Sequence, residues 1–299
     1  PATLSLMTFR GWFIGMQDTF SSMLTDVVVN GGNVLFSLLL TFGIPGTGFN
    51  GFGFKGIALG TVVAQYSGLI FASSRVALKF RNIIGGASVL DFKEAFRGGK
   101  MAHFFSVNRD LFIRSICLNI IYLAFTAISA RFGDTLLAAC SIMLKLLLIF
   151  SYFTDGFAFA GEALTGKYVG ARQVDQVRKT VKYTFAWSMG IGVLFIGIYF
   201  LTGVPMLRLM TSDSSVVEAA RAFMPWLIMI PLVGCPAFTW DGIYTGATAT
   251  KAMRDSNLGC VIAFLVIWFS GIFLFHPTGF AAAHLLFAAY YSHLIYRSL

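Results

Sequence analysis

The run FSYFTDGFAFAGEALTGK, residues 150–167, would suit lipid but for Asp155, Glu162 and Lys167. A carboxylate in such a place is costly unless a proton or a cation neutralises it. It can therefore take up a proton on one side of a barrier and release it on the other. Asp155 and Glu162 are seven residues apart, two helical turns, and so share a face. Lys145 precedes Asp155 by ten residues, which sets it about 80° away round a helix, at the border of that face. Ionisable groups within a bilayer mark function by default. Asp155 reads as a proton carrier, with a structural ion pair between helices as the alternative. Glu162, close to Lys167 and to the end of the apolar run, reads as a gate or packing contact.

Three further charged positions belong with these. Asp110 and Arg114 are spaced i, i+4 in the orientation that favours pairing on a helix. A stabilising bridge at the cytoplasmic mouth is expected there. Asp241, in PAFTWDGIYTGA, follows Pro231 and Pro236 within one apolar stretch. Each proline removes a backbone donor and can bend a helix, and the carbonyls it frees must be satisfied locally. A bent helix with an acid beside it can hold a cation, or the acid can stabilise the kink. Phe157, Phe159, Trp240 and Tyr244 are aromatic and able to stack on an organic cation, or simply to pack.

These residues need apolar helices to hold them. The chain has 299 residues, 57% hydrophobic and only 12% charged, with 32 Phe and a mean hydropathy of +0.77. Soluble domains average about 45–50% apolar and about 25% charged residues, so this composition describes an all-α polytopic membrane protein. A crossing takes about 20 apolar residues. Such runs lie near 22–43, 56–74, 104–130, 135–163, 180–203, 219–247, 258–275 and 280–296, after a half-span ending near Met16. Nine spans result. The opening PATLSLMTFRGWFIGM has no secretory signal pattern and reads as the start of a piece lacking its N-terminal part.

Lysine and arginine orient the spans. The segments 75–109 and 167–182, with Lys251, Arg254 and Arg297, carry fifteen on one side, while the opposite side has only Lys55, Arg131, Arg208 and Arg221. The rich side is cytoplasmic by the positive-inside rule, and this topology accounts for most of the net charge of +9. Nucleic acid is not the expected partner, because the charges are divided among separate loops. Lipid contact is. Within 75–103, the stretch SVLDFKEAFRGG places Val89, Phe92 and Phe96 on one stripe with Lys93 and Arg97 turned away, the pattern of an interfacial helix or a solvated linker. The cysteines, Cys117, Cys140, Cys235 and Cys260, stand singly and without metal-ligand spacing, as small buried hydrophobes would.

A weak internal repeat orders the spans further. Gln65–Ile70 (QYSGLI) lies over Tyr290–Ile295 (YYSHLI) at a shift of 225 residues, and GWFIG (11–15) over GIYTG (242–246) at a shift of 231. Six spans separate each pair, so both copies cross in the same direction. Transporters built from two such halves bind substrate between them. The organisation expected is 1–74 as the C-terminal half of one lobe, 75–103 as a linker and 104–299 as a second, six-span lobe.

The stretches NRDLFIRS (108–115), TAISARFGDTLLAAC (126–140), FSYFTDGFAFAGEALTGKYVGA (150–171) and WDGIYTGATATKAMRDS (240–256) resemble the MATE (multidrug and toxic compound extrusion) transporters of the bacterial DinF-like branch. The segment 1–19 is similar to the family's fourth span, and the likeness extends over essentially the whole chain. The resemblance implies a two-lobe helical bundle of twelve spans, about nine of them present here. It also implies an antiporter that exports organic cations, drugs or toxic metabolites by alternating access, against proton or sodium entry, in a bacterial cytoplasmic membrane. No cofactor beyond the coupling ion is implied, and the expected state is a monomer. Asp241 falls where the family carries its C-lobe cation-binding acid. The family's N-x-x-N-x-x-x-D pattern reads Asn30, Asn33 and Ser37 here, so its acid is absent. No glutamate lies between Arg114 and Arg131, which favours the proton over sodium. A flippase for lipid-linked saccharides, from the same wider superfamily, is the second expectation; it would need a cavity lined by arginine and lysine. An enzyme is not expected, since the four histidines are scattered and no HExxH or nucleophile elbow occurs.

Overall fold

The computed structural model describes residues 1–43, 50–81 and 100–299, and it divides into two compact units, Pro1–Met101 and Ala102–Leu299. All described regular structure is helical. The proposed interfacial helix around Val89, Phe92 and Phe96 lies outside the described residues.

The first unit contains α1 (Ala2–Gly15), α2 (Thr19–Phe42) and α3 (Phe54–Lys79). Asp18 caps α2 by accepting from the Ser21 N–H at 3.3 Å. The α2–α3 hairpin depends on a stripe of small residues on α3. Gly56, Gly60, Ala64, Gly68 and Ala72 recur every fourth position and are buried. Small faces let helix backbones approach where lipid offers no hydrophobic drive to do so. A Cβ on Gly56 would collide with the Leu40 carbonyl, and one on Gly60 with the Ser37 backbone. Polar contacts fix the register: Thr61 Oγ1 donates to Asn33 Oδ1 at 3.1 Å, Arg75 Nη2 to Ser21 Oγ at 3.0 Å, and Lys79 Nζ lies 2.8 Å from Asp18.

The second unit runs α4 (Lys100–Ser129), a 3-10 turn (Ala130–Phe132), α5 (Asp134–Gly170), α6 (Val174–Met210), α7 (Ser214–Ala222), α8 (Met224–Gly246), α9 (Thr250–Phe275) and α10 (Gly279–Ser298). At 37 residues each, α5 and α6 exceed their expected spans. At a rise of about 1.5 Å per residue they outreach a hydrocarbon core of about 30 Å. The core is largely aromatic and aliphatic, with Phe125, Phe150, Tyr199, Phe223 and Leu227 fully buried.

One expected span is corrected. Residues 219–247 are not a single helix: the chain breaks at Phe223 between α7 and α8, and Pro225 occupies the first turn of α8. Proline lacks the N–H that a first turn leaves unpaired anyway, so it starts a helix more readily than it continues one. Asp213 caps α7, accepting from Ser215 N at 2.8 Å.

Among the described residues seven helices are long and apolar enough to cross a membrane, α2 to α6, α8 and α9. The chain is therefore a multi-pass membrane protein. The outermost of the nine expected spans, α1 with 14 residues and α10 with 20, are helical but fall outside that set.

Within the second unit, α5 and α8 make the closest approach. A Cβ on Gly242 would strike the Ala158 carbonyl, and one on Gly246 the Glu162 carbonyl. Ala158 and Glu162 are one turn apart, as are Gly242 and Gly246, so the two helices run parallel with their small faces in contact. Gly192 abuts the Cys235 thiol, whereas Gly190 has nothing within 4 Å and packs against no neighbour. All four cysteines are buried and unbridged.

Candidate functional site

Asp241, near the C-terminal end of α8, is the centre of the charged cluster in the second unit. Arg297 of α10 grips it with two guanidinium nitrogens, its Nε donating to Oδ1 at 3.0 Å and its Nη2 pairing with Oδ2. Arg114 of α4 donates to the same Oδ2. The side chains are 18% exposed for Asp241, 21% for Arg114 and 7% for Arg297, so the clamp is shielded from bulk solvent. Arg297 also lies over the Phe238 ring, 5.5 Å from its centroid.

The parallel packing of α5 against α8 brings the other acids to this clamp. Asp155 and Glu162 are half-buried on α5, within electrostatic reach of Arg114, and Asp155 also of Arg297. Three carboxylates thus share two guanidiniums, an excess of one negative charge among these five groups when all are ionised. A cavity of about 190 Å³ adjoins Asp241 and Arg297 and is lined also by Trp240, Tyr244, Met253 and Asn257. Asn257 is 1% exposed, and its Oδ1 accepts no hydrogen bond among the described residues. Such an orphaned buried acceptor costs free energy unless something bound in the cavity donates to it. Tyr244 lies 5.4 Å from Trp240, centroid to centroid, and both line the cavity.

The expected Asp110–Arg114 bridge is not formed. Asp110, 1% exposed, instead receives Arg254 of α9 at 2.9 Å and Arg109 at 3.3 Å. A one-turn pair on a single helix is worth only about 0.2–0.5 kcal/mol. A second helix that carries a better placed partner overrides it. Arg297 likewise departs from expectation: counted among the loop charges, it is buried in the site. Lys145 is exposed, and among the described residues no ion pair joins it to the cluster.

Asn30 and Asn33 lie in the first unit. Asn33 bridges α2 to α3 through Ser37 and Thr61. Asn30 donates to the Asp26 carbonyl at 2.9 Å and lines a cavity of about 230 Å³ with Arg10, Thr25, Asp26 and Gln65. Asp26 pairs with Arg10 of α1, and both side chains are about half open, at 41% and 51%. The sequence signals for this pair and for Arg297 were faint: each is a charge in an apolar helix whose partner lies at least 16 residues away.

A family profile described as MatE matches residues 111–270, which include α5, α8 and Asp241. The chain belongs to the MatE family. It is 31% identical over 258 residues to DNA damage-inducible protein F of Escherichia coli (strain K12), covering 86% of this chain and 54% of that protein. It is 23% identical to a protein described as a probable multidrug resistance protein, NorM, of Photorhabdus laumondii, covering 85% of this chain and 54% of the relative. The crystal structure of MATE in the straight conformation superposes with a TM-score of 0.81 at 13% identity, covering 97% of this chain and 63% of that one. The last similarity establishes the fold. The chain spans about half the length of the curated relatives it matches.

Proposed function

We propose that this MatE chain belongs to a proton-coupled antiporter of a bacterial cytoplasmic membrane, exporting small amphipathic or cationic compounds by alternating access. The observation that carries the reading is the excess negative charge of the Asp241 cluster. A proton on one carboxylate neutralises the cluster, and so does the positive charge of an organic cation. The two are then competitors for one charge vacancy, which is the physical content of exchange. In a low-dielectric setting an uncompensated charge is disfavoured. Each state of the cycle therefore holds one of the two ligands.

Sodium is the less favoured coupling ion. Such an ion needs several oxygen ligands, and both oxygens of Asp241 already face guanidinium nitrogens. The flippase reading is weakened by the same pairing, because Arg114 and Arg297 are engaged by Asp241 rather than free to hold a diphosphate.

Transport by the full-length protein in proteoliposomes tests the reading. Efflux of a fluorescent organic cation should follow an imposed pH gradient and not a sodium gradient. Asp155→Asn and Asp241→Asn should weaken or abolish it. Wild-type efflux by both variants would remove the assignment, and movement of lipid-linked saccharides alone would favour the flippase.

A further inference from the structure

Two of the four basic residues on the lysine- and arginine-poor side converge on one cavity. Arg208, near the end of α6, and Arg221, in the last turn of α7, line a space of about 530 Å³ with Thr211, Ser212, Ser214 and Glu218. This is the largest of the cavities described above, and it shares no residue with the Asp241 cluster. Thirteen residues separate the arginines in sequence; the break after α6 and the short α7 bring them together. Both are exposed, and among the described residues neither has an ion-pair partner. Glu218 lines the same space and, among the described residues, forms no ion pair with either.

Helix ends alone would explain one arginine each, since a cation near a C-terminus gains from the helix dipole. They do not explain why two guanidiniums share a cavity rimmed by hydroxyls with no acid engaged. Like charges placed together cost free energy unless an anion visits. Guanidinium is the group best suited to a phosphate, through paired N–H donors in one plane. The floor is apolar, formed by Val204 and Val217. The adjoining turns of α6 present Leu201 and Leu209, 77% and 88% exposed, toward the surroundings. A phosphate with acyl chains attached would satisfy both the charged rim and this apolar wall, whereas a free phosphate would satisfy only the first.

We propose that the α6–α7 cavity is a binding site for the headgroup of an anionic phospholipid, whose phosphodiester is held by Arg208 and Arg221. Its chains lie along the exposed face of α6.

The test is lipid retention by the full-length protein in nanodiscs of phosphatidylcholine mixed equally with phosphatidylglycerol, read by native mass spectrometry. Wild type should retain phosphatidylglycerol over phosphatidylcholine by about tenfold, equivalent to about 1.4 kcal/mol. Arg208→Gln with Arg221→Gln should erase the preference, and Glu218→Gln should increase it. Arg131→Gln, on the same side but outside the cavity, should leave it unchanged. Each variant is checked for wild-type thermal melting, and Arg221→Gln alone serves if the double variant melts early. Equal preference in wild type and the arginine variants overturns the proposal. So does loss of the preference in millimolar inorganic phosphate, which would make the site one for free phosphate.

Discussion

Each unit holds an aspartate against arginine within its helices, and the two arrangements differ in an instructive way. The repeat that sets GWFIG over GIYTG also sets Arg10 over Asp241, each the residue before the matched stretch. Matched positions thus carry opposite charges. In the first unit Arg10 meets a single partner, Asp26, with both side chains about half open. In the second, Asp241 meets two arginines and all three are largely shielded. The neighbouring glycines differ in the same sense. Gly11 has nothing within 4 Å of a Cβ position, while Gly242 is wedged against the Ala158 carbonyl. Close helix packing excludes water, so each shielded charge there needs an opposite charge beside it. A half-open pair can part. A shielded clamp resists parting and passes charge through the acids beside it.

The contrast breaks if removing the two aspartates has equal consequences. Asp241→Ala should lower stability by about 3 kcal/mol, because Arg297 is left shielded without its counter-ion. Asp26→Ala should cost less than about 1 kcal/mol, as exposed pairs do. Thermal unfolding in detergent measures both. Next in size, Gly242→Ala should cost about 2 kcal/mol by forcing α5 from α8. Gly11→Ala should be neutral or stabilising by about 0.5–1 kcal/mol through helix propensity. Equal shifts would dissolve the packing argument.

Ligand binding sharpens the comparison. Asp155→Asn should weaken binding of an organic cation about tenfold while Asp26→Asn leaves it unchanged, as isothermal titration and a melting curve would establish together. The last effect concerns Asp18, at the helix junction outside the spans. Burial would raise its pKa, but the Lys79 ammonium and the Ser21 groups outweigh burial and hold the carboxyl below its ordinary value of 3.8. With a depressed folded value, its contribution is complete above the ordinary carboxylate range and fades as pH falls through that lower value. Lys79→Met should lessen this acid sensitivity, the Ser21 groups remaining, at a cost of about 1–2 kcal/mol at neutral pH because Asp18 itself is buried. Melting temperatures measured from neutral pH down into the acid range will register it.

Local rules carried the reading of this chain a long way. Hydropathy runs marked the helices, and the spacing of Asp155 and Glu162 placed them on one face, where both come within reach of Arg114. The break before α8 was missed, because the apolar run through 219–247 continues across Phe223 and Pro225. The stripe from Gly56 to Ala72, which repeats every fourth residue, showed its purpose only in the packing of α3 on α2. Arg297 could not be read in this way, because nothing within one helix distinguishes a terminal arginine that meets water from one that meets an acid 56 residues earlier.

Periodicity and composition by themselves determined that the chain is helical, crosses a membrane several times, and keeps acids on shared helix faces. Those properties follow from backbone geometry and from the cost of burying charge, both of which act over a few neighbouring residues. Which arginine answers which aspartate was decided only by the tertiary structure. Ion pairing falls off over a few ångströms, and those separations depend on how helices far apart in the sequence pack against one another. Arg114 of α4 thus meets Asp241 of α8 rather than its own neighbour Asp110, which is left to Arg254 of α9.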